Sequence, residues 1–301
     1  MNSNHFPTLP KSPSRFSMVL SGGLARGAAH LGVWRALSEG DLVPERVVGV
    51  SIGAIIGAYL CKEGSNGKAL GTFRELVAQA LHNEARAKNG NLWDTWRLIS
   101  LERRRAFIEE ALGLRGWTFG QLPLPLYITA TRLLPPGRVV FGDQPTDPVV
   151  EAILASSAVP SHPPVRVGDQ LYWDGGMSGN LPVREAMERG GRIILAVNLG
   201  PPMRRGPGPL GEVLWRLCRD LSRLPSLWEV EHCKARGARV LQVSSAEIES
   251  HGIFTFNRLD SIEEAGYKAT QRILPALRKA LGRLGEEGRS TATPEGGECE
   301  S

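Results

Sequence analysis

Short β-branched runs alternate with helix-patterned segments along almost the whole of this 301-residue chain, and that alternation leaves few folds open. Strands are expected at 16–21, 46–50, 125–132, 137–141, 170–173, 191–198 and 238–243. Helices are expected at 27–39, 52–63, 67–87, 101–112, 147–157, 182–189, 209–235 and 258–284. A helix between two strands returns the chain to the starting end of the sheet, so such strands run parallel. The expected class is therefore α/β: a three-layer α/β/α sandwich around a mainly parallel central sheet, with functional groups at the carboxyl ends of strands. Hydrophobic residues make up 42% of the chain, enough for one large core, and no composition break divides it. One domain is expected over 16–284. A flexible segment, 1–15, precedes it, and a disordered tail rich in Gly, Glu, Ser and Thr, 285–301, follows.

The sharpest junction is Gly49-Val50-Ser51-Ile52-Gly53. Arg46–Val50 reads as a strand and Ala54–Leu60 as a buried helix, which places Ser51 on a tight strand-to-helix turn. Gly49 and Gly53 keep neighbouring atoms from burying its hydroxyl, as a serine nucleophile requires. The pattern alone is weak, but it occurs once here, between two other glycine motifs.

Upstream, the strand Phe16–Leu20 runs into Ser21-Gly22-Gly23-Leu24-Ala25-Arg26-Gly27 and then an amphipathic helix. Backbone N–H groups at such a turn suit an anion or a developing oxyanion. A dinucleotide fingerprint would need glycine at 22, 24 and 27, and Leu24 breaks it. A phosphate loop would need Lys and Ser/Thr after Gly27, where Ala28 and Ala29 stand. An oxyanion hole for Ser51 needs neither; a turn without chemistry is the plain alternative. Downstream, Leu171-Tyr172-Trp173-Asp174-Gly175-Gly176 is a strand ending in a glycine turn with a carboxylate. Most Asp-Gly-Gly sequences are only turns, but in the same sheet as an elbow this one can carry a general base.

Together the three motifs resemble the patatin-like phospholipase family of serine acyl hydrolases, in which they occur in the same order. Ala155-Ser156-Ser157-Ala158-Val159-Pro160 and Asn180-Leu181-Pro182-Val183 extend the likeness over roughly residues 16–200, and less distinctly to about 275. The resemblance implies Ser51 as nucleophile and Asp174 as its base. It implies an oxyanion hole from the backbone of Gly22, Gly23 and Leu24, with Arg26 and Gly27 holding the loop, and no cofactor. Its expected reaction is cleavage of acyl esters of phospholipids or related lipids through an acyl-enzyme. Leu24 stands where the family has a third glycine, and an ordinary φ is expected there.

Two other readings compete. In a soluble carboxylesterase with a Ser-Asp-His triad, His232 or His251 would follow the acid in order, although His232 falls in a helical stretch. Alternatively, a non-catalytic lipid- or partner-binding protein would share the fold with a spoiled hole. His30, His82 and His162 lack metal-ligand spacing, so no metal is expected. The net charge of +5 comes from scattered residues and does not mark a nucleic-acid surface. Cys61, Cys218, Cys233 and Cys299 show no disulfide framework, and the first three read as reduced thiols in apolar stretches. With no apolar leader and no run of membrane-spanning length, the expected location is cytoplasmic, with peripheral membrane contact compatible. Two segments could make it: the Trp-bearing Asn91–Ile99, and a leucine stripe from Leu210 to Leu227. Packing as core is the alternative for both.

Overall fold

The computed structural model describes residues 14–63, 101–159, 163–200, 224–253 and 255–290. Among them, eight strands form one sheet: β1 (Ser14–Leu20), β2 (Pro44–Val50), β3 (Leu126–Arg132), β4 (Gly137–Phe141), β5 (Val165–Val167), β6 (Gln170–Asp174), β7 (Ile193–Val197) and β8 (Arg239–Val243). The order is β5-β6-β3-β2-β1-β7-β8, with β4 also against β3. Parallel pairing joins β3-β2-β1-β7-β8, and antiparallel pairing joins β4 and β6 to β3 and β5 to β6. The sheet is thus mixed and mostly parallel.

Helices cover both faces: α1 (Ala28–Glu39), α2 (Ile52–Glu63), α3 (Leu101–Ala111), α4 (Val149–Ser156), α5 (Val183–Glu188), α6 (described over 224–235), α7 (Ala246–Ser250) and α8 (Leu259–Ser290). The period of two along a strand sorts the core. Phe16, Met18 and Leu20 of β1 pack with α1, α2, α4 and α8, whereas Val19 joins Val48, Ile194 and Ala196 against α5 and α6. Apolar residues on both faces explain why β1 and β7 read as continuous hydrophobic runs. The result is an α/β/α sandwich. Close crossing of α1 and α8 depends on two glycines: a Cβ at Gly32 would lie 1.9 Å from Glu263 O, and one at Gly266 2.2 Å from Ala29 O.

The topology around β3 places the site. Val47–Val50 of β2 pair with Leu126–Thr129, and Tyr172–Asp174 of β6 pair with Arg132–Ala130. Because β4 holds the other edge of β3 over residues 128–132, β2 and β6 share one edge and run towards each other. Their carboxyl ends meet head-on between Thr129 and Ala130. Asp174 therefore reaches the site from a strand antiparallel to its neighbour, not from the parallel part of the sheet.

Three other features differ from the sequence reading. The short β5 escapes it, although Gly168-Asp169, with Gly168 at φ +57°, is a two-residue hairpin turn between β5 and β6. The five-residue α7 also escapes it. The last helix runs on to Ser290, so residues 285–290, read as part of a disordered tail, are helical. The helix expected at 67–87, the Trp-bearing segment, residues 209–223 and the remaining tail lie outside the described residues.

Candidate active site

Ser51 links β2 to α2 at φ +55°, the left-handed region. The flanking glycines are required by crowding, since a Cβ at Gly49 would lie 2.5 Å from Gly53 O and one at Gly53 2.3 Å from Leu20 O. A left-handed non-glycine residue costs roughly 1–2 kcal/mol, so the surroundings must hold it. Ser156, at the end of α4, does so: Ser51 N–H donates to Ser156 Oγ at 2.8 Å, and that hydroxyl donates to Thr129 O at 2.7 Å. The Ser51 hydroxyl then points at the end of β6, and the residue as a whole is 8% exposed.

Ser51 Oγ donates to Asp174 Oδ2 at 2.7 Å, while Oδ1 of the same carboxylate accepts from Gly176 N–H at 2.8 Å. The Asp174 backbone is fixed at both ends, with its N–H donating to Ala158 O at 2.7 Å and its carbonyl accepting from Thr131 Oγ1 at 2.9 Å. Glycine at 175 allows the turn to press on β3, because a Cβ there would lie 2.2 Å from Thr129 O. Asp174 is 6% exposed. Burial pushes its pKa up to about 6, against the opposing hydrogen bonds from Ser51 and Gly176. A buried carboxylate raised in this way is a better base towards an alcohol than an ordinary one.

The glycine loop faces this pair. Contrary to the ordinary φ expected at Leu24, its φ is +50°. The neighbouring Ala25 and Arg26 compensate, chiefly by bonding to segments remote in sequence. Ala25 N–H donates to Ile253 O at 3.0 Å, and Arg26 N–H to Gly23 O at 3.1 Å. The Arg26 guanidinium donates to three carbonyls, those of His251 at 2.8 Å and of Leu199 and Glu249 at 3.0 Å each. The Arg26 side chain thus ties the loop to three carbonyls remote in sequence. Gly27 is buried against α2, where a Cβ would lie 2.5 Å from Ile52 Cγ1. The expected donor set needs one correction. Gly22 N–H is already given to Asn180 Oδ1 at 3.1 Å, so among the described residues only Gly23 and Leu24 in the 22–24 stretch have unengaged amides.

The histidines are occupied elsewhere. His30 is fully buried, with Nε2 2.8 Å from Ser21 O, and burial lowers its pKa to about 4, so it is neutral and donates to that carbonyl. The His251 ring meets Ser261 Oγ at 3.3 Å, and His232 stacks on Trp228 with centroids 4.9 Å apart. His82 and His162 lie outside the described residues. Among the described residues, Cys61 and Cys233 are free buried thiols, and no group of three or more His, Cys, Asp and Glu could hold a metal.

Sequence reasoning singled out the segments of Ser156 and Asn180 only as likeness and gave neither side chain a role. It missed Arg138 altogether, because its partners are far apart in sequence. The Arg138 side chain, 7% exposed, donates to Ser178 O at 2.7 Å and pairs with Glu229 and, at 3.4 Å, with Glu185. That network ties the aspartate turn to α6.

Fold and site together define an α/β/α protein with a buried, directly bonded Ser–Asp pair beneath a glycine loop. The family model described as patatin-like phospholipase matches residues 18–187, and the chain belongs to that family. Relatives include a lysophospholipase NTE1 of Mycosarcoma maydis, 24% identical over 85% of this chain and 14% of its own length. Another is an uncharacterized NTE family protein of Mycobacterium bovis, 26% identical over 91% of this chain and 49% of its own. The chain therefore spans half or less of the length of these relatives. Among solved structures, VipD from Legionella pneumophila is 17% identical with a TM-score of 0.46, covering 88% of this chain and 67% of that one. ExoU of Pseudomonas aeruginosa, crystallised with SpcU, is 22% identical with a TM-score of 0.35, covering 86% and 53%.

Proposed function

We propose that this chain hydrolyses acyl esters of phospholipids or lysophospholipids, with Ser51 as nucleophile and Asp174 as its base. The observation that carries the reading is the 2.7 Å bond from Ser51 Oγ to a buried carboxylate whose pKa stands near 6. Asp174 takes the hydroxyl proton as Ser51 attacks the ester carbonyl. The developing oxyanion is received by the amides of Gly23 and Leu24. Collapse expels the alcohol, which leaves with the proton from Asp174, and the acyl group stays on Ser51. Water, deprotonated by the same carboxylate, attacks the acyl-enzyme, and the fatty acid departs as the Ser51 hydroxyl is restored. Net, one ester and one water give one acid and one alcohol.

The triad reading is disfavoured because Ser51 gives its proton to Asp174, while the His251 ring faces Ser261. The binding-protein reading is disfavoured because Gly23 and Leu24 keep unengaged amides in the loop beside the bonded Ser51–Asp174 pair. Contact with a lipid surface is part of the proposal. Leu224, Leu227 and Trp228 share one exposed face of α6, and Met177 is exposed three residues after Asp174. The bridge from the buried Glu229 through Arg138 to Ser178 links α6 itself to the aspartate turn. No helix among the described residues is long and apolar enough to cross a membrane.

The test compares native, Ser51→Ala, Asp174→Asn and His251→Ala chains on p-nitrophenyl butanoate and lysophosphatidylcholine. Loss by orders of magnitude in the first two variants with activity kept in the third supports the dyad. Collapse in His251→Ala would overturn it in favour of the triad.

A further inference from the structure

We infer that Asn180 is a positioning residue that sets the direction of the oxyanion donors, an inference that rests on the hydrolase reading. Its side chain clasps the backbone of Gly22 twice: Oδ1 accepts from Gly22 N–H at 3.1 Å, and Nδ2 donates to Gly22 O at 3.2 Å. The second contact matters for the chemistry. Gly22 C=O and Gly23 N–H belong to one planar trans peptide, in which the two bonds point in opposite directions. Holding the carbonyl on the Asn180 side therefore turns the Gly23 N–H to the other side. The next peptide is set in the same way, by Arg26 N–H donating to Gly23 O, which turns the Leu24 N–H outward.

The first of these peptides needs the clasp most. It lies between two glycines, whose φ and ψ barriers are low, so rotating it through a half turn is cheap. A rotated peptide would present a carbonyl oxygen to the oxyanion in place of an N–H. Crowding confirms how close the three groups are: a Cβ at Gly22 would lie 2.5 Å from Asn180 Oδ1 and 3.0 Å from Ser51 Cβ. Asn180 also follows Asp174 by six residues, on the far side of the glycine turn. A Cβ at Gly176 would lie 3.0 Å from both Asn180 Oδ1 and Asp174 Oδ1. One loop thus delivers the base through Asp174 and fixes the hole through Asn180, so the two halves of the machinery move together.

The experiment uses Asn180→Asp and Asn180→Ala in the full chain. Asp keeps the acceptor for Gly22 N–H but sets a carboxylate oxygen against Gly22 O, which drives the peptide over. Ala removes both contacts and leaves room for water to serve the carbonyl. Four quantities are measured: kcat and KM on p-nitrophenyl butanoate over pH 5–9, and affinities for an alkyl trifluoromethyl ketone and for an ether-linked lysophosphatidylcholine. The ketone forms a tetrahedral adduct with an oxyanion; the ether has no carbonyl. Losing one hole donor lowers kcat about 10²–10³-fold. The expected result is a loss of that size for Asp at the alkaline plateau, where any shift in the Asp174 pKa no longer matters, and a smaller loss for Ala. Ketone affinity should fall with kcat, while KM and ether affinity stay within threefold. The inference is overturned if both variants keep kcat within threefold, if Ala is the worse of the two, or if ketone and ether affinities fall together. A native chain that neither turns over the ester nor prefers the ketone would instead sink the hydrolase reading, and the role of Asn180 with it.

Discussion

Replacing Asp174 by Asn should abolish turnover and yet stabilise the fold at neutral pH. Moving a carboxylate pKa from 3.8 to about 6 is a shift of about two units, which at 1.36 kcal/mol each amounts to about 3 kcal/mol against the ionised folded form. The folded state binds the proton more tightly than the unfolded one. Its stability from this group is therefore full below about pH 4, falls between about pH 4 and pH 6, and stays reduced above. Asn carries no charge to desolvate, and it fits the same two partners. Its Nδ2 can donate to Ser51 Oγ, and its Oδ1 can accept from Gly176 N–H, where the carboxylate now makes 2.7 and 2.8 Å bonds. Denaturant unfolding of both chains at pH 8 should show Asp174→Asn more stable by about 1–3 kcal/mol, with the difference vanishing near pH 4. A variant that is less stable by the same amount at both pH values would refute the claim that Asp174 is held ionised at a cost.

Ser156→Ala strips the partner from two buried backbone groups, Ser51 N–H and Thr129 O, each worth about 1–3 kcal/mol when left unmet. Unfolding midpoints should drop accordingly, and kcat should fall with them as the left-handed Ser51 relaxes. Leu24→Gly removes a side chain from φ +50°, so thermal denaturation should show a gain of about 1 kcal/mol with kcat changed by less than threefold. Acyl-length preference is also expected to shift, because the Leu24 side chain is partly exposed at the hole. Trp228→Asp on α6, where Trp228 is 58% exposed, should weaken sedimentation with phosphatidylcholine vesicles while leaving hydrolysis of soluble p-nitrophenyl butanoate unchanged.

What the sequence made legible was local. Ser51 between Gly49 and Gly53 announced its own turn, because the crowding that demands glycine at 49 comes from Gly53 and Ala54 just beyond it, although that at 53 comes from Leu20 on β1. The alternation of strands and helices was enough for the α/β class. Positions set by long-range partners stayed hidden. Leu24 takes its left-handed φ because Leu199, Glu249, His251 and Ile253 accept hydrogen bonds from the loop, and none is near it in sequence. The same distance hid Asn180 on Gly22 and Ser156 on Ser51. The head-on approach of β2 and β6 depends on strand direction, which a run of apolar residues does not encode, so the order Ser51 then Asp174 was readable while the route by which they meet was not.

The most direct measurement is the covalent intermediate itself. The native chain, mixed with p-nitrophenyl palmitate and quenched in acid within the first turnover, should carry one palmitoyl group, located by peptide mass spectrometry on Ser51. Ser51→Ala should carry none, and Asp174→Asn should acylate slower by orders of magnitude. An acyl group on another residue, or undiminished turnover in Ser51→Ala, would contradict the account.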